Sequence, residues 1–301
     1  MTREAAGSPG TVAVVGGGTM GVGIAYVYAV SGSAVHLVEP DVARQRAVRE
    51  ILAQAAESGL SRGKISEEQA KAVSGGVKIL ADASDLARAL DLIVETVPEI
   101  PALKEGLIGR LSRLEPRLLA TNTSSVSIDR LAAFAADPSR FLGMHFFNPV
   151  WSLPLVELVR GERTSPESLA RARAYAEATG KTTIVSRDVP GFATSRLDVL
   201  AAMEAIRMLE DGVASAEDID KAMVTAFRHP VGPLRLSDIV GLDVRLDIAK
   251  HLSSTLGDRY EPPRLLREKV ERGELGVKSG RGFYDWQDTR AFISGKTGRP
   301  S

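Results

Sequence analysis

Thr11-Val12-Ala13-Val14-Val15-Gly16-Gly17-Gly18-Thr19-Met20-Gly21 is the stretch on which the fold turns. A short β-branched run ends in glycines, and Met20 to Val30, rich in Ala, Val and Ile, reads as a buried helix. Gly16 to Gly21 fits G-x-G-x-x-G and lies between the expected strand and the expected helix, where a dinucleotide-binding fingerprint has to lie. With 28 glycines in the chain the bare pattern arises easily by chance, so the strand-helix setting carries the reading. Gly16 permits the tight turn, Gly18 lets backbone N–H groups approach a diphosphate, and Gly21 lets the helix pack closely on the strand. Thr19 and Met20 open the helix, whose N-terminus adds partial positive charge.

Ala34 to Val38 is the next expected strand, and it ends on Glu39, eighteen positions after Gly21. An acidic side chain there can accept both ribose hydroxyl hydrogen bonds of an adenosine, which selects NAD. A 2′-phosphate would meet a like charge, although Arg44 and Arg46 lie close by on the following helix. Helical spacing follows over 42–58 and 66–74, with apolar runs at 77–80, 92–94, 118–120 and 141–144. Strands alternating with helices imply an α/β unit: a parallel, doubly wound Rossmann-type sheet with both faces covered. After Pro190-Gly191 the pattern changes, because 196–210, 216–227, 242–256 and 263–271 all carry helical spacing. The expected organisation is an NAD-binding domain over 8–188, an all-helical domain over 189–287, and a frayed tail over 288–301.

Composition excludes several classes. Lys plus Arg and Asp plus Glu both number 38, so no global field draws in nucleic acid or an anionic membrane. The chain has no Cys, which removes disulfides, thiolate nucleophiles and Cys-based metal sites, and no metal is expected. Neither a signal peptide nor an apolar stretch long enough to span a bilayer is visible, so the expected location is cytoplasmic.

Only four histidines can serve as a base near neutral pH: His36, His145, His229 and His251. His36 falls inside the second strand, His251 in a late helix, and His229 in the turn His229-Pro230-Val231-Gly232-Pro233, so all three read as structural. His145 directly follows the apolar run 141–144, and open α/β sheets hold ligands beyond the carboxyl ends of their strands.

Met144-His145-Phe146-Phe147-Asn148-Pro149 followed by Leu155-Val156-Glu157-Leu158 resembles the signature of the 3-hydroxyacyl-CoA dehydrogenase family. Asn122-Thr123-Ser124-Ser125 resembles the family's substrate-contacting turn. Glu95-Thr96-Val97-Pro98-Glu99 with Lys104 resembles its stretch after the fourth strand, and Lys278-Ser279-Gly280-Arg281-Gly282-Phe283-Tyr284 its C-terminal signature. The matches run in order from Val12 to Trp286. The resemblance implies an oxidoreductase of fatty-acid metabolism that oxidises a 3-hydroxyacyl-CoA with NAD. It makes His145 the general base, oriented by Glu157, and gives Ser124 the substrate oxygen. Glu99, Lys104, Asn148 and Lys278 are implied near NAD, and the family's helical domain implies a homodimer. Without the resemblance, Glu157 is an exposed strand charge, Asn122 to Ser125 a loop, and Glu99 with Lys104 a solvated pair.

Two departures bear on substrate. The family commonly has Asn after Pro-Gly-Phe-x-x, whereas Ser195 and Arg196 follow Pro190-Gly191-Phe192-Ala193-Thr194 here. Ser195 offers one rotatable hydroxyl in place of an amide's separate donor and acceptor. The family's CoA-contacting Ser and Lys fall on Ala55 and Arg62; Arg62 keeps a phosphate-binding charge and Ala55 lacks the hydroxyl. An acyl-carrier-protein thioester is therefore one alternative substrate. A free sugar acid or hydroxy acid, as in the lambda-crystallin and gulonate dehydrogenase branch, is another, and a non-catalytic NAD-binding structural protein is a third. No hydratase-like segment is present, so a stand-alone enzyme is expected rather than a module of a larger complex.

Overall fold

A computed structural model describes residues 7–287 and divides the chain into two compact units between Phe192 and Ala193. The expected tail over 288–301 lies outside the described residues.

In the first unit, β1 (Thr11–Val15) sits inside an eight-stranded sheet of order β3-β2-β1-β4-β5-β6-β7-β8. Six strands run parallel: β1, β2 (Ala34–Val38), β3 (Lys78–Leu80), β4 (Leu92–Glu95), β5 (Leu119–Thr121) and β6 (Phe141–Phe146). The two-residue alternation of β1 sends Val12 and Val14 to one face of the sheet and Ala13 and Val15 to the other. The first face is covered by α1 (Thr19–Val30), α2 (Val42–Ser61), α3 (Glu67–Ser74) and α6 (Pro166–Glu177). The second is covered by α4 (Pro101–Ser112) and α5 (Ile128–Ala132). Residues 21–29 of α1 are buried without interruption, because the helix lies between the sheet and α2 and α3. That explains its apolar composition on every side. The helix ends are set by short polar side chains: Asp41 accepts the Arg44 amide at 2.6 Å, and Ser66 with Gln69 forms a capping box.

The sheet departs from the all-parallel expectation at its far edge. β7 (Leu155–Arg160) runs antiparallel to β6, and β8 (Thr182–Arg187) is parallel to β7. The segment 147–154 is shorter than the dozen or so residues that a parallel crossover needs, so the chain turns back on itself. A second departure concerns His145, which lies within β6 rather than after it.

The second unit is helical, with α7 (Thr194–Glu210), α8 (Ala216–Phe227), α9 (Pro233–Val240), α10 (Leu242–Leu256) and α11 (Arg264–Glu271) around one apolar cluster. α9 is additional to the sequence reading, which saw only the turn ending at Pro233. Pro233 is the first residue of that helix, and Asp220 caps it by accepting the Leu234 and Arg235 amides at 2.8 and 2.9 Å. The Lys278–Tyr284 signature is fastened to α9 through Asp238, which accepts from the amides of Phe283 and Tyr284 and from the Trp286 indole. Burial raises the Asp238 carboxyl, and those three bonds oppose the rise.

Candidate active site

The carboxyl ends of the parallel strands share one edge of the sheet. Val15 is level with Val38 and Glu95, Glu95 with Thr121, and Thr121 with Gly143. The glycine turn, the segment after β4, the segment after β5 and His145 therefore stand in a row, with β6 roughly 15 Å from β1 at the usual strand spacing.

The glycine turn is shaped by contact rather than by composition. Gly16 has φ +116° and donates to the Val38 carbonyl at 2.9 Å. A Cβ on Gly21 would stand 1.9 Å from the Gly16 carbonyl oxygen, so the helix approaches the strand as only glycine allows. Gly18, by contrast, faces open space: nothing lies within 4 Å of where its Cβ would be. Gly18 is also the N-cap of α1, so an anion can reach the first amides of that helix. Gly17 donates to Glu39 Oε2 at 3.0 Å, and Arg44 Nε donates to the Gly17 carbonyl at 2.8 Å. Gly16, Gly17, Gly18, Thr19, Met20, Glu39 and Arg44 line a cleft of about 630 Å³ with Thr96 to Pro98 and apolar Leu103 and Leu107. Arg46 is not among the residues lining it. The open glycine, the helix start and the acidic group at the end of β2 fit a dinucleotide.

His145 and Glu157 are direct cross-strand partners in the antiparallel β6–β7 register, with Nδ1 of the ring 3.2 Å from Oε2 of the carboxylate. His145 is 7% exposed and Glu157 is fully buried. A buried carboxylate is costly unless hydrogen-bonded, so the imidazole and the acid account for each other's place in the core. Phe147 and Phe192 flank the ring at centroid distances of 4.4 and 6.1 Å. With Nδ1 held by Glu157, Nε2 is the ring nitrogen available for substrate chemistry.

Ser124 is exposed on the turn that follows β5. Glu99 Oε1 grips this turn, accepting from the Ser124 and Ser125 amides at 3.0 and 3.1 Å, from the Ser125 hydroxyl and from the Thr123 hydroxyl. Burial works to raise the Glu99 carboxyl, but the Lys104 charge and these bonds outweigh it and hold the group below its ordinary range.

The 3-hydroxyacyl-CoA dehydrogenase NAD-binding domain matches residues 11–189, and the C-terminal domain of the same family matches residues 191–286. The chain belongs to the 3-hydroxyacyl-CoA dehydrogenase family. It is 43% identical over 280 residues to a 3-hydroxybutyryl-CoA dehydrogenase of Mycobacterium tuberculosis, covering 91% of this chain and 98% of the relative. A probable 3-hydroxybutyryl-CoA dehydrogenase of Bacillus subtilis is 40% identical, with 92% and 97% covered. Among solved structures, (S)-3-hydroxybutyryl-CoA dehydrogenase from Ralstonia eutropha superposes with TM-score 0.87 at 37% identity, covering 93% of this chain and 99% of that one. The cofactor of this NAD-binding domain is NAD.

Within this 3-hydroxyacyl-CoA dehydrogenase family member, the remaining site residues expected from sequence fall in several places. Lys104 is 1% exposed, its ammonium held among Glu95, Glu99 and the Val97 carbonyl, which is not the solvated pair that sequence alone suggested. Asn148 is exposed in the turn after β6. Arg62, at the end of α2, and Ala55 line a second cavity of about 700 Å³ together with Lys64, Lys181, Tyr26 and Trp151. Ser195 lies in the first turn of α7, in the second unit, and Lys278 pairs there with Asp243 at 2.5 Å. His36 is in β2, where burial and the Lys78 charge lower its pKa; His229 and His251 are exposed in the second unit.

Sequence reasoning missed three contributors. Asn122 accepts the Phe146 amide through Oδ1 at 2.8 Å, tying the Ser124 turn to the residue after His145. Glu95 lies fully buried beneath the same turn, and Lys181 walls the second cavity, with burial lowering its pKa. Asn122 and Glu95 stood inside the quoted motifs and were findable there. Lys181 lies far from Arg62 along the chain, so no spacing pattern links them.

Proposed function

We propose that this chain oxidises a 3-hydroxyacyl-CoA to the 3-ketoacyl-CoA with NAD, and runs the reverse reduction, with His145 as the general base held by Glu157. The observation that carries the reading is the cross-strand His145–Glu157 pair at the sheet edge shared with the glycine turn. Glu39 would hold the adenosine ribose, and the amides after Gly18 the diphosphate. Bound NAD supplies the hydride acceptor. His145 Nε2 takes the 3-hydroxyl proton while the C3–H bond breaks with its electron pair leaving as hydride, so a ketone remains. Glu157 keeps Nδ1 protonated and stabilises the imidazolium that forms; positioned acid-base catalysis of this kind is typically worth ~10²–10⁴-fold. Ser124 offers one hydroxyl that can accept from the alcohol and donate to the ketone.

CoA is the acyl carrier in this reading, supported by Arg62, Lys64 and Lys181 around the 700 Å³ cavity, since clustered cations suit phosphates. Residues 189–287 would serve as the substrate and dimerisation domain. A homodimer is supported by exposed apolar side chains of the helical unit, among them Leu197 at 70% and Phe227 at 69%. A cytoplasmic location completes the proposal; among the described residues no helix is long and apolar enough to cross a membrane.

The test is a panel of short and longer 3-ketoacyl-CoA compounds, the matching acyl-carrier-protein thioesters and free hydroxy acids, each assayed with NADH and NADPH. Acetoacetyl-CoA with NADH is expected to turn over well above the same substrate with NADPH. Turnover confined to free acids or carrier-protein thioesters overturns the substrate assignment, and equal rates with both cofactors overturn the role of Glu39.

A further inference from the structure

Glu39 has a charged neighbour for which the cofactor reading above has no use. Arg44, in the first turn of α2, is half-buried and lines the same cleft, whereas Arg46 is exposed and is not part of its wall. Both charges are fastened to Gly17. The Glu39 carboxylate accepts the Gly17 amide through Oε2 at 3.0 Å and the Asp41 amide through Oε1 at 3.0 Å. The Arg44 guanidinium donates from Nε to the Gly17 carbonyl at 2.8 Å. Backbone thus holds each group at the same glycine, and among the described residues Arg44 forms no ion pair with Glu39 or with any other carboxylate.

A guanidinium has five N–H donors, and the protein takes one of them here. Four remain on the two η nitrogens as a planar fork, the shape that grips a phosphate through paired bonds. The other arginine of the cleft, Arg110 on α4, is placed differently. Its charge is offset in part by Asp82, a lining residue whose carboxyl is held below its ordinary range by Ser84 hydrogen bonds and then by Arg110. Arg44 is the one that shares Gly17 with Glu39. In clefts of this kind an acid at the end of the second strand takes the ribose 2′-hydroxyl of NAD, and a nearby arginine takes the 2′-phosphate of NADP. This cleft holds both fittings at one glycine. A phosphate monoester carries most of two negative charges at neutral pH, so the pinned carboxylate repels it.

We infer that Arg44 is the specificity-determining partner of Glu39: it is the ligand for a 2′-phosphate, and the Glu39 charge alone keeps NADPH from using it. The inference rests on the ribose role of Glu39 proposed above. Wild type then prefers NADH by repulsion, not for want of a phosphate site, and its residual affinity for NADPH comes through Arg44. The two side chains differ in what their loss changes. Neutralising Glu39 removes the repulsion and one ribose acceptor together, so NADPH binds better while NADH binds worse. Removing the Arg44 charge takes away the phosphate contact, so it weakens NADPH and spares NADH. A residue that merely braced the Gly17 turn would move both cofactors alike.

The experiment is fluorescence titration of NADH and NADPH with wild type, Glu39→Gln, Arg44→Met and the double variant. 5′-AMP and adenosine 2′,5′-bisphosphate serve as competitors against NADH. Glu39→Gln is expected to tighten NADPH about tenfold and to weaken NADH severalfold. Adding Arg44→Met should reverse the NADPH gain by about tenfold or more and leave the NADH Kd within about threefold of that of Glu39→Gln. The bisphosphate should follow NADPH and 5′-AMP should follow NADH, which confines the effect to the 2′-phosphate. Where Arg44→Met costs the fold, Arg44→Gln takes its place. An NADPH Kd in Glu39→Gln that does not respond to loss of Arg44 overturns the inference, and so does an equal loss of NADH and NADPH affinity. If Glu39→Gln weakens NADH without tightening NADPH, the inference falls and the ribose role stands. If Glu39→Gln binds both cofactors like wild type, the ribose role itself falls, so the two failures are distinguishable.

Discussion

Gly21→Ala and Gly18→Ala should separate two uses of glycine three positions apart. At Gly21 the new Cβ would meet the Gly16 carbonyl oxygen at 1.9 Å and Thr96 Oγ1 at 2.7 Å. One of these is backbone in the turn itself, so relief requires α1 to retreat from β1 by on the order of 1 Å, and shifts of that size have large functional consequences. Overpacking of this kind costs about 1–3 kcal/mol. If all of it falls on cofactor binding, affinity drops roughly 5- to 150-fold. At Gly18 the added Cβ meets nothing and the backbone, at φ −70° and ψ −178°, already suits alanine. Stability should therefore be unchanged there, while the methyl group obstructs the approach of the diphosphate. The assay is NADH fluorescence titration beside thermal unfolding for both variants. Gly21→Ala should lose Tm and affinity together; Gly18→Ala should lose affinity alone. Wild-type NADH affinity in Gly21→Ala, or an equal loss of Tm in both, would refute the reasoning.

Glu157→Gln keeps the shape of the side chain but removes the charge facing His145. Replacing a charge-assisted hydrogen bond worth about 1.5–3 kcal/mol should lower kcat roughly 10- to 150-fold, and an unchanged kcat would count against the pair. Arg62→Ala should raise the KM for acetoacetyl-CoA by up to about fivefold with kcat held, as expected for an exposed charge contact; a fall in kcat at constant KM would contradict that placement. In the helical unit, hydrogen bonds from Lys269 and Arg272 depress the Glu274 carboxyl to about 2, against partial desolvation. A depressed carboxyl stabilises the fold above its ordinary range near 4.5, and that contribution is lost as pH falls from there towards about 2. Thermal unfolding between pH 7 and pH 2.5 should show a shallower acid limb for Glu274→Gln than for wild type, and parallel limbs would contradict this.

The glycine turn was readable in sequence because its requirements are backbone requirements, and a residue without a side chain announces them. The strand end Glu39 followed from fixed spacing. The apolar run in the sequence stops at Met144, which puts His145 just past a strand end; β6 instead continues to Phe146 with His145 buried inside it. Polar residues are tolerated in such a strand when a partner stands opposite, and the partner, Glu157, is set by antiparallel register. Register is a property of two segments together, so neither alone announces it. The same limit hid the direction of β7 and β8, which a short loop determines, and the burial of Lys104, which depends on Glu95 from the neighbouring strand. α9 escaped because a proline-rich turn and the first turn of a helix share the same residues.

His145→Gln tests the central claim most directly. Steady-state kcat for acetoacetyl-CoA with saturating NADH should fall by ~10²–10⁴-fold, with NADH Kd and Tm close to wild type, because the proposed mechanism gives the ring one task, proton transfer at the substrate. A variant that retains kcat within about threefold of wild type while folded and saturated with cofactor would contradict a general-base role for this histidine.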